Sequence, residues 1–256
     1  MTVLLHNHTS ASRPVVVLGM HKSGTTLIAE TLHRSGIAMI GSEVTGGYDD
    51  GNKMERGETQ AINLDLLGQH GKESLRMIRP IASGAASPAQ RSQAHTLIDT
   101  LGASPWGFKD PRTLLTFDFW QDVLETPTLI GIFRDPTEVF GHYVKRAGRR
   151  WISRDPTYLP DALRAWCIYS QLLLDAKRSH PHLLLLDYAD FMTTDTGMQR
   201  LSAHLRRDLI DCRKPAMRRA EAKPTVDYRL AQIIVRLRDG LDPHRIHTEL
   251  MKASLE

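Results

Sequence analysis

Eight residues near the start of the chain, Gly19-Met20-His21-Lys22-Ser23-Gly24-Thr25-Thr26, have the types and spacing to hold an anion. A glycine-bounded turn that opens a helix points several backbone N–H groups inward, and the helix dipole favours negative charge there. Thr25 and Thr26 add hydroxyl donors, Lys22 adds a full positive charge, and His21, Ser23 and Gly24 complete the loop. This is not the Walker A pattern, which places lysine directly after the second glycine, where this chain has Thr25. Arg134 offers a second anion site. It leaves an apolar run at the end where α/β ligands bind, and His142 and Arg146 follow at helical i, i+4 spacing. An arginine fork grips a dianionic phosphate bidentately, although pairing of Arg134 with a helix carboxylate is open on the same residues. Lys109 closes the run Trp106-Gly107-Phe108 and precedes Asp110-Pro111-Arg112, so Asp110 is placed to orient Lys109 or Arg112.

Such groups need a scaffold that brings them to one edge. Apolar runs at residues 14–18, 106–108, 128–133 and 183–186 read as buried strands, each followed by a turn and then a helical pattern. That alternation predicts an α/β fold of three layers, P-loop-like, with a central parallel sheet flanked by helices. The first helix is expected over 24–35, with Leu27, Ile28 and Leu32 inward and Gly36 as its stop. A long helix near 161–177 carries Leu163, Trp166, Leu173 and Leu174. Ser87-Pro88-Ala89-Gln90 and Asp135-Pro136-Thr137-Glu138 have the grammar of a capping box with proline at the first helical position, and Asp242-Pro243 marks a third start. Residues 37–57, rich in glycine and acids, read as a mobile substrate loop. Residues 1–13 are expected to be a flexible tail and 14–256 one domain.

The loop at 19–26, with a basic residue before Ser-Gly-Thr-Thr, resembles the 5′-phosphosulfate loop of sulfotransferases that use 3′-phosphoadenosine-5′-phosphosulfate (PAPS), most closely the bacterial branch and the related tyrosylprotein sulfotransferases. A lysine inside the loop suits the bridging oxygen of a phosphosulfate. The resemblance implies transfer of a sulfuryl group to an acceptor hydroxyl, with adenosine 3′,5′-bisphosphate as product and no metal required. It places Arg134, His142 and Arg146 on the 3′-phosphate positions, with histidine where the family usually has serine. Tyr188 falls where a family tyrosine contacts the nucleotide, and on physical grounds a buried aromatic with a satisfied hydroxyl is an equally open reading of the same residue. Lys-Asp-Pro at 109–111 resembles a segment whose lysine lies at the reacting sulfate. For the base, Glu43 follows Lys22 at about the tyrosylprotein spacing. Glu55 in Met54-Glu55 is its main rival, and Asp49, Asp50 and His21 stay open. A carboxylate base needs partial burial to raise its pKa towards neutrality.

Composition narrows the remaining classes. Hydrophobic residues at 41% and charged residues at 24% are those of a globular chain and exclude a disordered one. A net charge of +4 suits an anionic ligand without forming the basic stripe of a nucleic-acid binder. Cys167 and Cys212 are far apart in sequence and suggest neither a disulfide framework nor a thiolate metal site, and no metal site is expected. His6 with His8, and His244 with His247, lack a third ligand. No stretch approaches the roughly 18 apolar residues of a membrane span. The expected partner is therefore a hydroxyl-bearing small molecule or carbohydrate, not nucleic acid or membrane, in the cytoplasm, with the oligomeric state unread. A P-loop kinase using ATP and Mg²⁺ is the alternative activity, and a non-catalytic nucleotide-binding protein the alternative class. The basic run Arg213, Lys214, Arg218 and Arg219 is either a flap over the cofactor or a solvated helix face.

Overall fold

Strands buried on both faces must be apolar at nearly every position, and VVVL at Val15–Leu18 and LIGIF within Thr128–Phe133 meet that demand. The computed structural model describes residues 13–41, 54–68, 74–102, 104–148, 155–214 and 223–256. Among these, β1 (Val15–Leu18), β2 (Gly107–Lys109), β3 (Thr128–Phe133) and β4 (Leu184–Asp187) form one sheet in the order β2-β1-β3-β4. Every pairing is parallel, with Val15 opposite both Gly107 and Thr128, and Ile130 opposite Leu184.

The alternation of side chains along each strand divides the core. Val15, Val17, Ile130, Ile132, Leu184 and Leu186 face α1 (Thr25–Arg34) and the later short helices α7 (Tyr188–Thr193) and α8 (Thr196–Leu205). Val16, Leu18, Leu129, Phe133 and Leu185 face the larger cluster around α6 (Tyr158–Ser179). Gly131 lies on that second face because a Cβ there would crowd Leu173 of α6. The other α-helices among the described residues are α2 (Gly57–Leu66), α3 (Pro88–Leu101), α4 (Phe117–Val123), α5 (Pro136–Ala147), α9 (Val226–Asp239) and α10 (Pro243–Ala253). The fold is α/β with a parallel sheet flanked by helices, as its residue pattern predicts.

Boundaries shift in instructive places. Helix α6 begins at Tyr158, three residues before the expected Asp161, because Pro160 is tolerated in a first turn where no N–H is needed. Strand β2 runs one residue past Phe108, which makes Lys109 its last residue. At α3 the capping box closes reciprocally between Ser87 and Gln90. At α5 it does not. Asp135 accepts from the Thr137 and Glu138 amides, but the Glu138 side chain turns to Arg134, whose full charge is the stronger attraction.

Candidate functional site

In an open parallel sheet, ligands sit beyond the C-terminal strand ends, where the strand order reverses. Here that switch point lies between β1 and β3. Because every strand is parallel, His21 and Lys22 after β1, Lys109 on β2, Arg134 after β3 and Tyr188 after β4 all reach one edge. Neighbouring strands lie about 4.8 Å apart, so the outermost of these groups are roughly 14 Å from one another at the backbone.

The anion loop is built at some conformational cost. Lys22 takes a positive φ of 68° and Gly24 one of 103°. Positive φ is strained for any side-chain-bearing residue. At Gly24 glycine is required twice over, since an added Cβ would also run into the Tyr188 ring. Gly24 is the N-cap of α1, no side chain caps that helix, and its first turn holds no acid. The Leu27 amide turns back to the Gly24 carbonyl at 3.0 Å, so an anion at this helix mouth would meet the amides of Thr25 and Thr26. Ser23 and Thr25 are buried in the loop.

Tyr188 joins this loop to the second cation. Its ring packs on Gly24 and also lies under the Arg134 guanidinium, whose Cζ is 4.2 Å from the ring centroid. Arg134 donates through Nε to Glu138, and its Nη1 is 3.5 Å from His142 Nε2. The helix-carboxylate pairing left open by the sequence is thus made, and the guanidinium keeps its Tyr188 face. Trp166 Nε1 donates to the Arg134 carbonyl at 3.1 Å and holds the turn. Arg146, one turn beyond His142, is exposed.

Lys109 lies in a buried ionic network. Its Nζ is 2.9 Å from Glu55 Oε1, and the two side chains are 1% and 3% exposed. Arg112 Nη2 reaches the other oxygen of Glu55 at 3.3 Å, where Gln60 also donates at 2.7 Å. Asp110 accepts from the Arg112 backbone and side chain and from Asn63 Nδ2 at 3.0 Å, so it orients Arg112 and leaves Lys109 to Glu55. Asn63 in turn accepts from Thr116 and Trp120 at 2.7 and 2.8 Å. Burial acts to raise the Glu55 pKa, but the charge and hydrogen bond of Lys109, with Arg112, outweigh it and hold the carboxyl below its usual range. Burial raises that of Asp110.

His21 stands beside this network. Burial, then the charges of Arg112, Lys109 and Lys22, drive its pKa down to about 3, against an opposing pull from Glu55. The ring as a whole is half-buried, but Nε2 is sealed from solvent and finds no hydrogen-bond partner among the described residues.

Three of the residues singled out by sequence, His21, Lys109 and Glu55, come together in this way, with Lys22 next to His21 in the loop, and Arg134, His142 and Tyr188 form the adjoining group. Glu43, Asp49 and Asp50 lie outside the described residues, as do His6, His8, Arg218 and Arg219. Arg213 is held by Asp211 and Asp195 and by the Phe191 carbonyl at 3.1 Å, which accounts for it as a clamp on the end of α7. His247 is 3.8 Å from Asp135. Among the described residues no group of three or more His, Cys, Asp or Glu side chains could hold a metal, and no helix is long and apolar enough to cross a membrane. Sequence reasoning missed Asn63 and Arg56. Buried Arg56 donates to the carbonyls of Ala38 (2.7 Å) and Ile40 (3.3 Å) and straps the chain after α1 to β2. Neither carried a periodic or motif signal.

Fold and site together define an α/β protein with a parallel sheet flanked by helices and two groups of basic side chains, around Lys109 and around Arg134, at one sheet edge. The model of the sulfotransferase family matches residues 14–211, and the chain belongs to that family, which makes it a transferase. No curated protein matches the chain. Among solved structures, a sulfotransferase domain from the curacin biosynthetic pathway is 11% identical, with 92% of this chain and 86% of that one covered at a TM-score of 0.51, and it shares the fold. A sulfotransferase domain from the Synechococcus olefin synthase is 15% identical over 97% of this chain and 95% of that one, TM-score 0.48. The Mycobacterium tuberculosis sulfotransferase STF1 is 13% identical over 95% and 77%, TM-score 0.47.

Proposed function

We propose that the protein transfers a sulfuryl group from PAPS to the hydroxyl of a small molecule or carbohydrate. The observation that carries this reading is the continuity of Gly24, Tyr188 and Arg134: one aromatic ring joins an uncapped helix mouth with an embedded lysine to a guanidinium. Those residues fit a nucleotide with an anionic group at each end. The loop amides, Ser23, Thr25 and Thr26 would hold the 5′-phosphosulfate, Arg134 with His142 and Arg146 the 3′-phosphate, and Tyr188 the nucleoside between them. PAPS supplies the sulfuryl group, whose sulfur gains a bond to the acceptor oxygen as its bond to the 5′-phosphate oxygen breaks.

The chain's own residues then divide the work. Lys22 offsets charge on the leaving phosphate oxygen, and Lys109 offsets charge on the group in transfer. Glu55 holds Lys109 in place. With its pKa held low by two cations, Glu55 is a weak proton acceptor, so in this reading Glu43 takes the acceptor's proton. In this reading 14–256 is a single domain, which the core shared by Tyr228, Val235, Ile246 and Leu250 of the last two helices with Trp166 and Leu163 supports. The test is a thermal-shift comparison of adenosine 3′,5′-bisphosphate with ATP plus Mg²⁺, followed by transfer of labelled sulfate from PAPS to an acceptor panel. A larger, Mg²⁺-dependent shift with ATP would replace this reading with a kinase.

A further inference from the structure

Away from the anion loop, a cleft of about 520 Å³ opens between the C-terminal end of α2, the segment 76–81 and α6. Its size lies inside the range of about 300–1,000 Å³ typical of small-molecule sites. Polar and apolar surface share the lining about evenly: Met77, Ile81 and Ile168 are among the apolar side chains, and the polar side chains are three guanidiniums, Arg76, Arg79 and Arg164. No carboxylate lines it among the described residues. Arg76 and Arg164 each have one acid outside the lining, Asp155 and Asp239, both at 2.9 Å. A guanidinium has five N–H donors and one carboxylate takes at most two, so each keeps donors for a second anion. Arg79 is exposed and has no ion pair among the described residues.

The cleft is held open by fixed structure. The buried Tyr169 hydroxyl donates to the Met77 carbonyl at 3.1 Å, and the Ile81 amide donates to the Leu115 carbonyl at 2.9 Å. Arg79 brings a charge with no ion pair among the described residues, so an anion that enters would pair with it and with the spare donors of Arg76 and Arg164 while its chain covers the apolar side chains.

We propose that this cleft binds an anionic amphiphile, a single alkyl chain bearing a phosphate or carboxylate. The proposal does not depend on the transfer chemistry, so the two fail separately. It is tested by isothermal titration of the full chain with decyl phosphate below its micelle concentration, beside decanol and inorganic phosphate alone. Decyl phosphate should bind at least about tenfold more tightly than either, the effect of one charge-assisted hydrogen bond added to chain burial. Arg79→Glu, a surface change, should weaken decyl phosphate about tenfold or more and leave decanol unchanged. Ile168→Trp should block both ligands. In all variants the thermal shift given by adenosine 3′,5′-bisphosphate should persist. Equal binding of decanol and decyl phosphate, or indifference to Arg79→Glu, would overturn the proposal. So would binding to vesicles of phosphatidylcholine with phosphatidic acid but not to monomeric decyl phosphate, since the source would then be a membrane surface.

Discussion

The two cations at the sheet edge are held in opposite ways. Lys109 is enclosed, and its carboxylate comes from 54 positions away in the chain, with Arg112 sharing it. Arg134 keeps one face on an aromatic ring, and its carboxylate is four residues on, at the start of the helix that follows it. A buried pair made between distant segments rigidifies the position of a charge, whereas a local pair near a helix mouth leaves room for a ligand to take over part of the coordination. The first arrangement suits a charge that must stay aligned with a reacting group. The second suits a charge that grips and releases.

That contrast can be broken by substitution. Lys109→Ala should have the largest effect, lowering the transfer rate by about 10²–10³ and stability by roughly 3–5 kcal/mol, because it strands a buried carboxylate. Labelled-sulfate turnover and urea unfolding measure the two. If both stay near wild type, Lys109 is neither locked nor catalytic.

Glu55→Gln should come next, with a pH signature that distinguishes a positioning residue from a base. The folded pKa of Glu55 lies below its ordinary 4.5. Its stabilising contribution is therefore complete above 4.5 and is lost as pH falls through the folded value. Wild type should be more stable than E55Q at pH 7, by about 2–4 kcal/mol, and the two should converge well below pH 4.5. If the pH–rate profile of E55Q shifts while Glu43→Gln leaves turnover intact, the base assignment passes to Glu55.

Arg134→Ala should weaken adenosine 3′,5′-bisphosphate about 10–100-fold, with only about 1–2 kcal/mol lost in stability, since Glu138 remains on a helix N-terminus. A loss of turnover at saturating nucleotide as large as that of Lys109→Ala would erase the distinction between the two cations.

His21 gives a smaller, sharper readout. Its folded pKa of about 3 lies below the ordinary 6.5, so between those values the unfolded chain binds a proton that the folded chain refuses. Stability should fall as pH drops from 6.5 towards 3, by at most about 1.4 kcal/mol per unit from this group. His21→Asn should flatten that limb in chemical unfolding. Smallest of all, Glu138→Gln should tighten nucleotide binding by no more than about threefold, as the released guanidinium loses its competitor.

The anion loop and its helix were legible because glycine, lysine and hydroxyl residues follow one another within eight positions. The same holds for Arg134, which marks the end of an apolar run. Glu55 was a candidate as a base, and nothing in its neighbourhood of the chain pointed to Lys109 as its partner. Asp110 was read as orienting either neighbour, and only the position of Asn63, 47 residues earlier, shows why it serves Arg112. Glu138 looked like the return arm of a capping box, and the charge of Arg134, only four residues earlier, redirected it, a contact as local as the motif itself and one the sequence had left open.

Local order along the chain by itself determined four strands, the three helix starts marked by proline and the glycine-bounded loop before the first helix, since apolar periodicity, proline and glycine act over a few residues. Tertiary structure alone decided the strand order β2-β1-β3-β4, the ring of Tyr188 between Gly24 and Arg134, and the burial of Lys109 against Glu55. Contacts of that kind join segments whose separation follows no period, and their strength comes from the exclusion of water, which exists only once the layers have closed.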